Sequence, residues 1–463
     1  MRTFKVTPES DALPELQELR RAAREIFDEV LEAVDARRAV LGAVEFDGVT
    51  LVVGGTRFNL RERPRKIFSV ALGKAAAPMA AALDERLGET LSAGVLSSTR
   101  SDFSFNERWR GFKGGHPLPN EASLEAARAA FDLLREADDS SALVIFLVSG
   151  GGSAMMELPR DSRLTLEDLR EANSVLVLCG APIDEVNAVR RALSAVKGGG
   201  LAACASRATQ VTLVISDVGA GRAYDVASGP TLPSPADPHA VQEIIRRHGL
   251  TSKLPPSIIH ALEESGATHS RGVEHKAPRE FHILLDNARA CEAAADAARS
   301  RGFAVEVATD LIEQPVEEGA AAMVSRLAAL SAREGESGRV ACLISGGEFS
   351  CPVRGDGTGG RNSETALRCA FEFERVVRVS NEGRLPARLV ALSAGTDGID
   401  GNSPAAGACS DETTLARARA LGLDASKFLE RSDAYSLFNR LGDALVTSAT
   451  GTNVRDVRIL LAG

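Results

Sequence analysis

Three charged residues of this 463-residue chain sit in small-residue settings suited to phosphate chemistry. They are Lys74 in Gly73-Lys74-Ala75-Ala76, Asp217 in Ser216-Asp217-Val218-Gly219 and Arg361 in Gly359-Gly360-Arg361-Asn362. A cation beside glycines meets a phosphoryl group that a Cβ would hold off, and an aspartate there accepts a hydroxyl proton or binds magnesium. The turn Ser149-Gly150-Gly151-Gly152-Ser153 offers hydroxyls and amides to an anionic oxygen. Ser345-Gly346-Gly347-Glu348 repeats this pattern, and Gly395-Thr396-Asp397-Gly398, with Asp400 close behind, repeats it with carboxylates. Asn187, Arg190, Arg191 and Ser194 recur at helical spacing, with Lys197 following, so much of that set can share a face. Each feature also has a plainer reading: a tight strand-to-helix turn, a solvated lysine, a capping aspartate or a solvated basic face. Together they point to an enzyme that handles a highly charged ligand.

The elements that must position these residues are legible as apolar runs. Lys66–Leu72, Ala142–Val148, Gln210–Val218 and the runs entering Ser345 and Gly395 have the length of strands buried on both faces. In open α/β sheets ligands sit beyond the carboxyl ends of such strands. Residues 12–35 repeat apolar positions at helical spacing, and helices are also expected over 75–87, 122–137, 165–180 and 184–206. Residues 49–53 and 58–60 form a hairpin through Gly54-Gly55. Gly114–Asn120 is a loop stiffened by Pro117 and Pro119 that carries His116. A proline-rich connector over 228–238 and a polar linker over 253–279 lead to a second α/β unit opening with a strand at 281–285. The expected partition is 1–270 and 280–463, and sequence leaves open where the last strand packs.

Net charge −9 and the absence of a Lys/Arg block argue against a general nucleic-acid binder. The seven cysteines show no C-x-x-C spacing and read as core residues of a reduced, cytoplasmic protein. No apolar signal segment opens the chain and no run is long enough to span a membrane. Gly355–Gly360 matches G-x-G-x-x-G literally, but Glu382, about 20 residues on, falls in a polar turn rather than at a strand end.

Taken in order, GKAA (73–76), GGHPLPN (114–120), LVSGGGSAMM (147–156), NAVRRALSAVKGGGLA (187–202), SDV with ASGPT (216–231), SGGE (345–348), GTGGRNSETAL (357–367), SAGTDGIDG (393–401) and TGTNV (450–454) resemble the class II glycerate 2-kinases with a MOFRL C-terminal domain. The resemblance implies two Rossmann-like α/β domains with the site in an interdomain cleft. It implies transfer of the γ-phosphoryl of ATP to the 2-hydroxyl of D-glycerate, with Mg2+. Lys74, Asp217 and Arg361 take the family's catalytic positions. Ser149, Gly150, Gly151, Gly152, Ser153, Asn187, Arg190, Lys197, Ser345, Gly346, Gly347, Glu348, Gly359, Gly360, Asn362 and Asp397 are the expected substrate- and nucleotide-binding residues. Asp217 and Asp397 are the expected metal ligands. The partners are then small molecules, with neither nucleic acid nor membrane, and a homodimer stays open as an assembly.

The chain departs from the family at Ala220-Gly221, Asn402-Ser403-Pro404 and Ser448-Ala449, which removes two acidic side chains. Asp225, Asp397 and Asp400 are the candidates to compensate. Two other functions compete with the kinase: an NAD(P)H-dependent hydroxypyruvate reductase and a non-catalytic nucleotide- or metabolite-binding relative.

Overall fold

The apolar runs form strands with every residue buried, as their lack of polar alternation requires. A computed structural model describes residues 14–62, 65–99, 107–139, 141–232, 237–265, 277–334, 338–379 and 388–463; the middle of the proline-rich connector, part of the polar linker and Glu382 lie outside this set. The described residues fall into two units. One is Asp35–Asp286 with Gly451–Asn453; the other is 14–34, Asn287–Thr450 and Val454–Gly463.

The first unit carries six parallel strands: β1 (Ile67–Leu72), β2 (Leu91–Ser98), β3 (Trp109–Lys113), β4 (Leu143–Ser149), β5 (Thr209–Ile215) and β6 (Arg279–Leu285). Their order is β3-β2-β1-β4-β5-β6, that of a doubly wound nucleotide-binding sheet. The winding reverses between β1 and β4, and the crevice beyond their carboxyl ends is where such sheets bind ligands. Phe68, Val70, Leu72, Val144, Phe146 and Val148 pack against Ala126, Ala127, Ala130 and Leu134 of the helix Glu121–Ala137. Truncating a fully buried phenylalanine such as Phe146 to alanine costs about 3–5 kcal/mol. That helix starts with a reciprocal cap: Ser123 N donates to Asn120 Oδ1 at 2.9 Å and Asn120 N to Ser123 Oγ at 3.1 Å. A three-stranded antiparallel sheet over 44–59 turns at Gly54 and Gly55, with φ of 59° and 91°.

Two expectations change here. The strand expected to open the second unit is β6, paired with β5 from Gln210–Arg279 to Ile215–Leu285. β5 is buried throughout and takes a neighbour on its far side rather than forming an open edge. The helix expected over 184–206 is broken: Ile183–Leu193 ends where Ser194 bridges to Pro159, and Gly198 and Gly199 adopt φ of 62° and 88° before a short turn at Gly200–Cys204.

The second unit is a mixed six-stranded sheet: β7 (Ala304–Ala308), β8 (Ala341–Gly347), β9 (Leu389–Gly395), β10 (Gly407–Asp411), β11 (Ala444–Leu445) and β12 (Asp456–Ala462), in the order β7-β8-β12-β9-β10-β11. The last strand stays inside this unit, antiparallel between β8 and β9. Its register sets Asp456 opposite both Gly347 and Gly395. Helix α1 (Pro14–Ala33), placed with the N-terminal part by the expected partition, belongs to this unit. Its apolar stripe, including Leu16, Ile26, Phe27 and Val30, is buried, and Arg20 pairs with Asp411 and Asp443. A later helix, α2 (Arg361–Val379), packs on β9 and β10.

Candidate active site

Adjacent strands β1, β4 and β5 deliver Lys74, the 149–153 turn and Asp217 to one sheet edge. Lys74 N donates to Gly150 O at 2.8 Å. Ser149 faces inward, its Oγ accepting from Ala75 N at 3.0 Å, so it ties the two loops together rather than facing a ligand. Gly150 is required by contact: a Cβ there would lie 1.8 Å from Asp217 Oδ2. Gly151 has φ of 80°, and a Cβ on it would lie 3.0 Å from His116 Cδ2. His116, carried by the Gly114–Asn120 loop, therefore borders the same turn. The amides of Gly151, Gly152 and Ser153 make no hydrogen bond among the described residues. Ser153 Oγ lies 2.7 Å from Ser228 Oγ, which donates to Asn187 Oδ1 at 3.4 Å. Ala227 and Ser228 hold φ of 53° and 60°, a conformation uncommon for residues with a Cβ and often found at functional sites.

The basic set behind this turn divides by burial. Arg190 donates from Nε to Asn173 Oδ1 at 2.9 Å, while its terminal nitrogens meet no acceptor among the described residues. Burial lowers its pKa. Arg191 reaches Asp225 at 3.5 Å, and Arg222 also binds Asp225. Lys197, expected among the ligand-binding residues, points into the core: it is 2% exposed and its ammonium pairs with Glu157. Burial lowers the Lys197 pKa and the Glu157 charge opposes that shift. The break after Leu193 is the reason, since it carries residue 197 away from the helix face that holds Asn187 and Arg190.

The turns of the second unit look alike in sequence but are already filled by protein. Ser345 Oγ donates to Leu311 O at 2.7 Å, Gly347 N donates to Asn287 Oδ1 at 2.7 Å, and a Cβ on Gly346 would lie 2.0 Å from the same oxygen. The amides of Gly357, Thr358, Gly359 and Gly360 donate to Arg431 O, Asp433 Oδ1, Asn402 Oδ1 and Ser363 Oγ. Gly359 and Gly360, expected to contact nucleotide, thus have no amide to offer it. Asp400 accepts from Asn362 N and Ser363 N, each at 2.8 Å, and so caps α2. Burial raises the Asp400 pKa, against the hydrogen bonds it accepts. Asp400 and Asp225 are therefore engaged within the fold, and Asp397 is partly exposed and accepts from Ile399 N at 3.1 Å.

Arg361 opens the α2 helix. Nε donates to Asp456 Oδ2 at 2.6 Å, and Nη2 donates to Asp456 Oδ1 at 3.0 Å and Glu348 Oε1 at 2.9 Å. Nη1 meets no acceptor among the described residues, and the side chain is 37% exposed. Burial by itself lowers the Arg361 pKa; Asp456 and Glu348 more than offset this, so the guanidinium stays charged. Asn362 Nδ2 donates to Asp456 Oδ1 at 2.9 Å, and Asn362 Oδ1 accepts from Ser393 Oγ at 2.7 Å. Asp456 went unnoticed in the sequence; the available signal was a strand, DVRILLA, with two polar residues at alternating positions.

Among the described residues no group of three or more His, Cys, Asp or Glu forms a ready cation site. Magnesium in phosphoryl transfer is commonly held by one or two carboxylates together with substrate phosphates, so Asp217 against the open glycine turn fits that donor set.

Residues 22–263 match a domain described as a domain of unknown function, DUF4147, and residues 341–456 match the MOFRL family. The chain is 32% identical to a D-glycerate 2-kinase from Thermotoga maritima, over 96% of this chain and 98% of that one. It belongs to the MOFRL-containing glycerate 2-kinase family. A glycerate 2-kinase from Pyrococcus horikoshii is likewise 32% identical over 96% of this chain and 97% of its own. The crystal structure of a Thermotoga maritima glycerate kinase superposes with a TM-score of 0.79 at 31% identity, covering 96% of this chain and 100% of that one. A protein from Agrobacterium vitis named as a hydroxypyruvate reductase is 34% identical over 96% of this chain and 94% of its own. The glycerate 2-kinase family thus includes members named for a different reaction. The filled amides of Gly357–Gly360 bear on that second name, because a dinucleotide pyrophosphate needs such amides free.

Proposed function

We propose that the chain transfers the γ-phosphoryl group of ATP to the 2-hydroxyl of D-glycerate, giving 2-phosphoglycerate. The observation that carries this reading is the set of Lys74, open amides and Asp217 at the carboxyl ends of β1, β4 and β5, where the winding of the sheet reverses. Phosphoryl transfer asks a protein mainly for positioning and for charge stabilisation. Lys74 and the amides of Gly151–Ser153 hold phosphoryl oxygens. Arg190 binds a further anionic group with its two terminal nitrogens. Asp217 supplies the carboxylate, either accepting the 2-hydroxyl proton or serving as an oxygen ligand to Mg2+. When bound with the nucleotide, Mg2+ supplies neutralisation of phosphoryl charge. In the second unit taken by itself, Arg361 offers its Nη1 donors to an oxyanion and Asp397 offers a carboxylate.

Two features speak against nicotinamide chemistry. The turn after β1 reads Gly73-Lys74-Ala75-Ala76-Ala77, without the glycine spacing of a dinucleotide fingerprint, and the stretch that has the spacing has its amides occupied. The test is a coupled ADP-release screen over D- and L-glycerate, glycolate, lactate and tartronate, with EDTA and added Mg2+ as controls. Metal-dependent ADP release is expected with D-glycerate. Oxidation of NAD(P)H by hydroxypyruvate with pure protein and no ATP would overturn the kinase reading.

A further inference from the structure

Asp456 lies outside every motif that carries the family resemblance, yet it organises the charged side chains of the second unit. It is fully buried at the start of β12, and both residues opposite it, Gly347 and Gly395, lack side chains. A Cβ on Gly395 would lie 3.5 Å from Asp456 Oδ1, in ordinary van der Waals contact with the carboxylate. A carboxylate buried this far is costly unless paired and hydrogen-bonded. Its partners are Arg361, Asn362 and Arg458, the last 3.6 Å away. Arg458 is itself buried over the Phe349 ring, 3.5 Å from the centroid, and donates to the Gly346 and Gly347 carbonyls. The carboxylate therefore bridges a fixed inner arginine and the partly exposed Arg361.

The mode of attachment matters. Asp456 grips the Nε and Nη2 edge of Arg361 with both oxygens, and Glu348 takes a further Nη2 contact. The fork with which an arginine grips a carboxylate or phosphate is thereby occupied, and Nη1 is left. We infer that Asp456 is a positioning residue for Arg361, holding its guanidinium so that Nη1 alone meets an oxyanion of one substrate. That oxyanion is either a phosphoryl oxygen of ATP or the carboxylate of the acceptor. The inference rests on the kinase reading proposed above.

The test compares Asp456→Asn, Asp456→Glu, Arg361→Ala and the Asp456→Asn/Arg361→Ala double variant, with ATP and D-glycerate varied separately and melting temperature recorded. Asp456→Asn is expected to lower kcat/KM by about 10²-fold, the scale of a misplaced catalytic group. Arg361→Ala should lose a similar factor, the double variant should be no worse than Arg361→Ala, and Asp456→Glu should recover part of the loss. A rise confined to the KM for ATP identifies the oxyanion as phosphoryl; one confined to glycerate identifies it as carboxylate. Wild-type kinetics in a folded Asp456→Asn protein, or a double variant whose losses multiply, would overturn the inference. If Asp456→Asn does not fold, Arg361→Lys decides: it keeps the charge but cannot be held by the fork, so activity near wild type sinks the idea. If the wild type releases no ADP with any acid tried, the kinase reading fails. The positioning role is then judged by calorimetry with ATP and with D-glycerate, where unchanged binding by Asp456→Asn rejects it and weakened, non-additive binding supports it.

Discussion

The Asp217 carboxylate stands where a side chain on Gly150 would stand, a Cβ there lying 1.8 Å from Oδ2. A strand-end aspartate and a glycine turn from the neighbouring strand are thus fitted to one another. Gly150→Ala is expected to fold, because Gly150 lacks the positive φ that would exclude alanine, and to displace Asp217. A shift of about 1 Å at a reacting group costs roughly 10²-fold in rate. ADP release and melting temperature check this together; wild-type turnover by Gly150→Ala would show that Asp217 can move without consequence.

Lys74→Ala and Asp217→Asn should each lose about 10²–10³-fold in kcat, the range for a single electrostatic group at a reacting centre. Neither side chain sits in an apolar core cluster, so the losses are expected in turnover more than in folding. Calorimetric melting alongside steady-state kinetics separates the two effects. A melting loss large enough to explain the activity loss would reassign the residue to the fold.

Lys197 should behave in the opposite manner. Removing one partner of a buried ion pair costs about 3–5 kcal/mol, because the other charge is left unpaired. Lys197→Met should therefore lower the denaturant midpoint sharply, and adding Glu157→Leu should restore much of it. A Lys197→Met protein with native stability would mean that Glu157 finds another partner.

The Arg20 cluster predicts acid sensitivity in the second unit. Burial raises the Asp411 pKa, but Arg20 and Arg417 lower it by more, so it titrates below its ordinary 3.8. A depressed carboxylate pKa contributes stability that is fully present above the unfolded value and lost as pH falls through the folded one. Melting temperature recorded from about pH 6 to about pH 2 should fall less steeply for Asp411→Asn than for the wild type, from a lower starting point. Parallel curves would show that other carboxylates govern acid unfolding.

Much of the local architecture was legible because it rests on local pattern. Apolar runs without alternation announced β1, β4, β5, β8 and β9. The stripe from Leu16 to Val34 announced α1. Motifs read in order reached the family, because their sequence along the chain is itself information.

What the tertiary structure decided depends on which distant segment arrives beside each pattern. Three turns that read alike diverge: the amides of Gly151–Ser153 stay open, while Asn287 meets the Ser345–Gly347 turn and Thr396 is bound by the segment leading into β12. Helix α1 joins the second unit through Arg20, and β6 joins the first through β5. Asp456 gains its place only when β12 inserts between β8 and β9. Hydrophobic period and turn chemistry specify an element from its own residues, whereas strand insertion, buried charge pairing and the filling of amides are set by contacts between residues far apart in the chain.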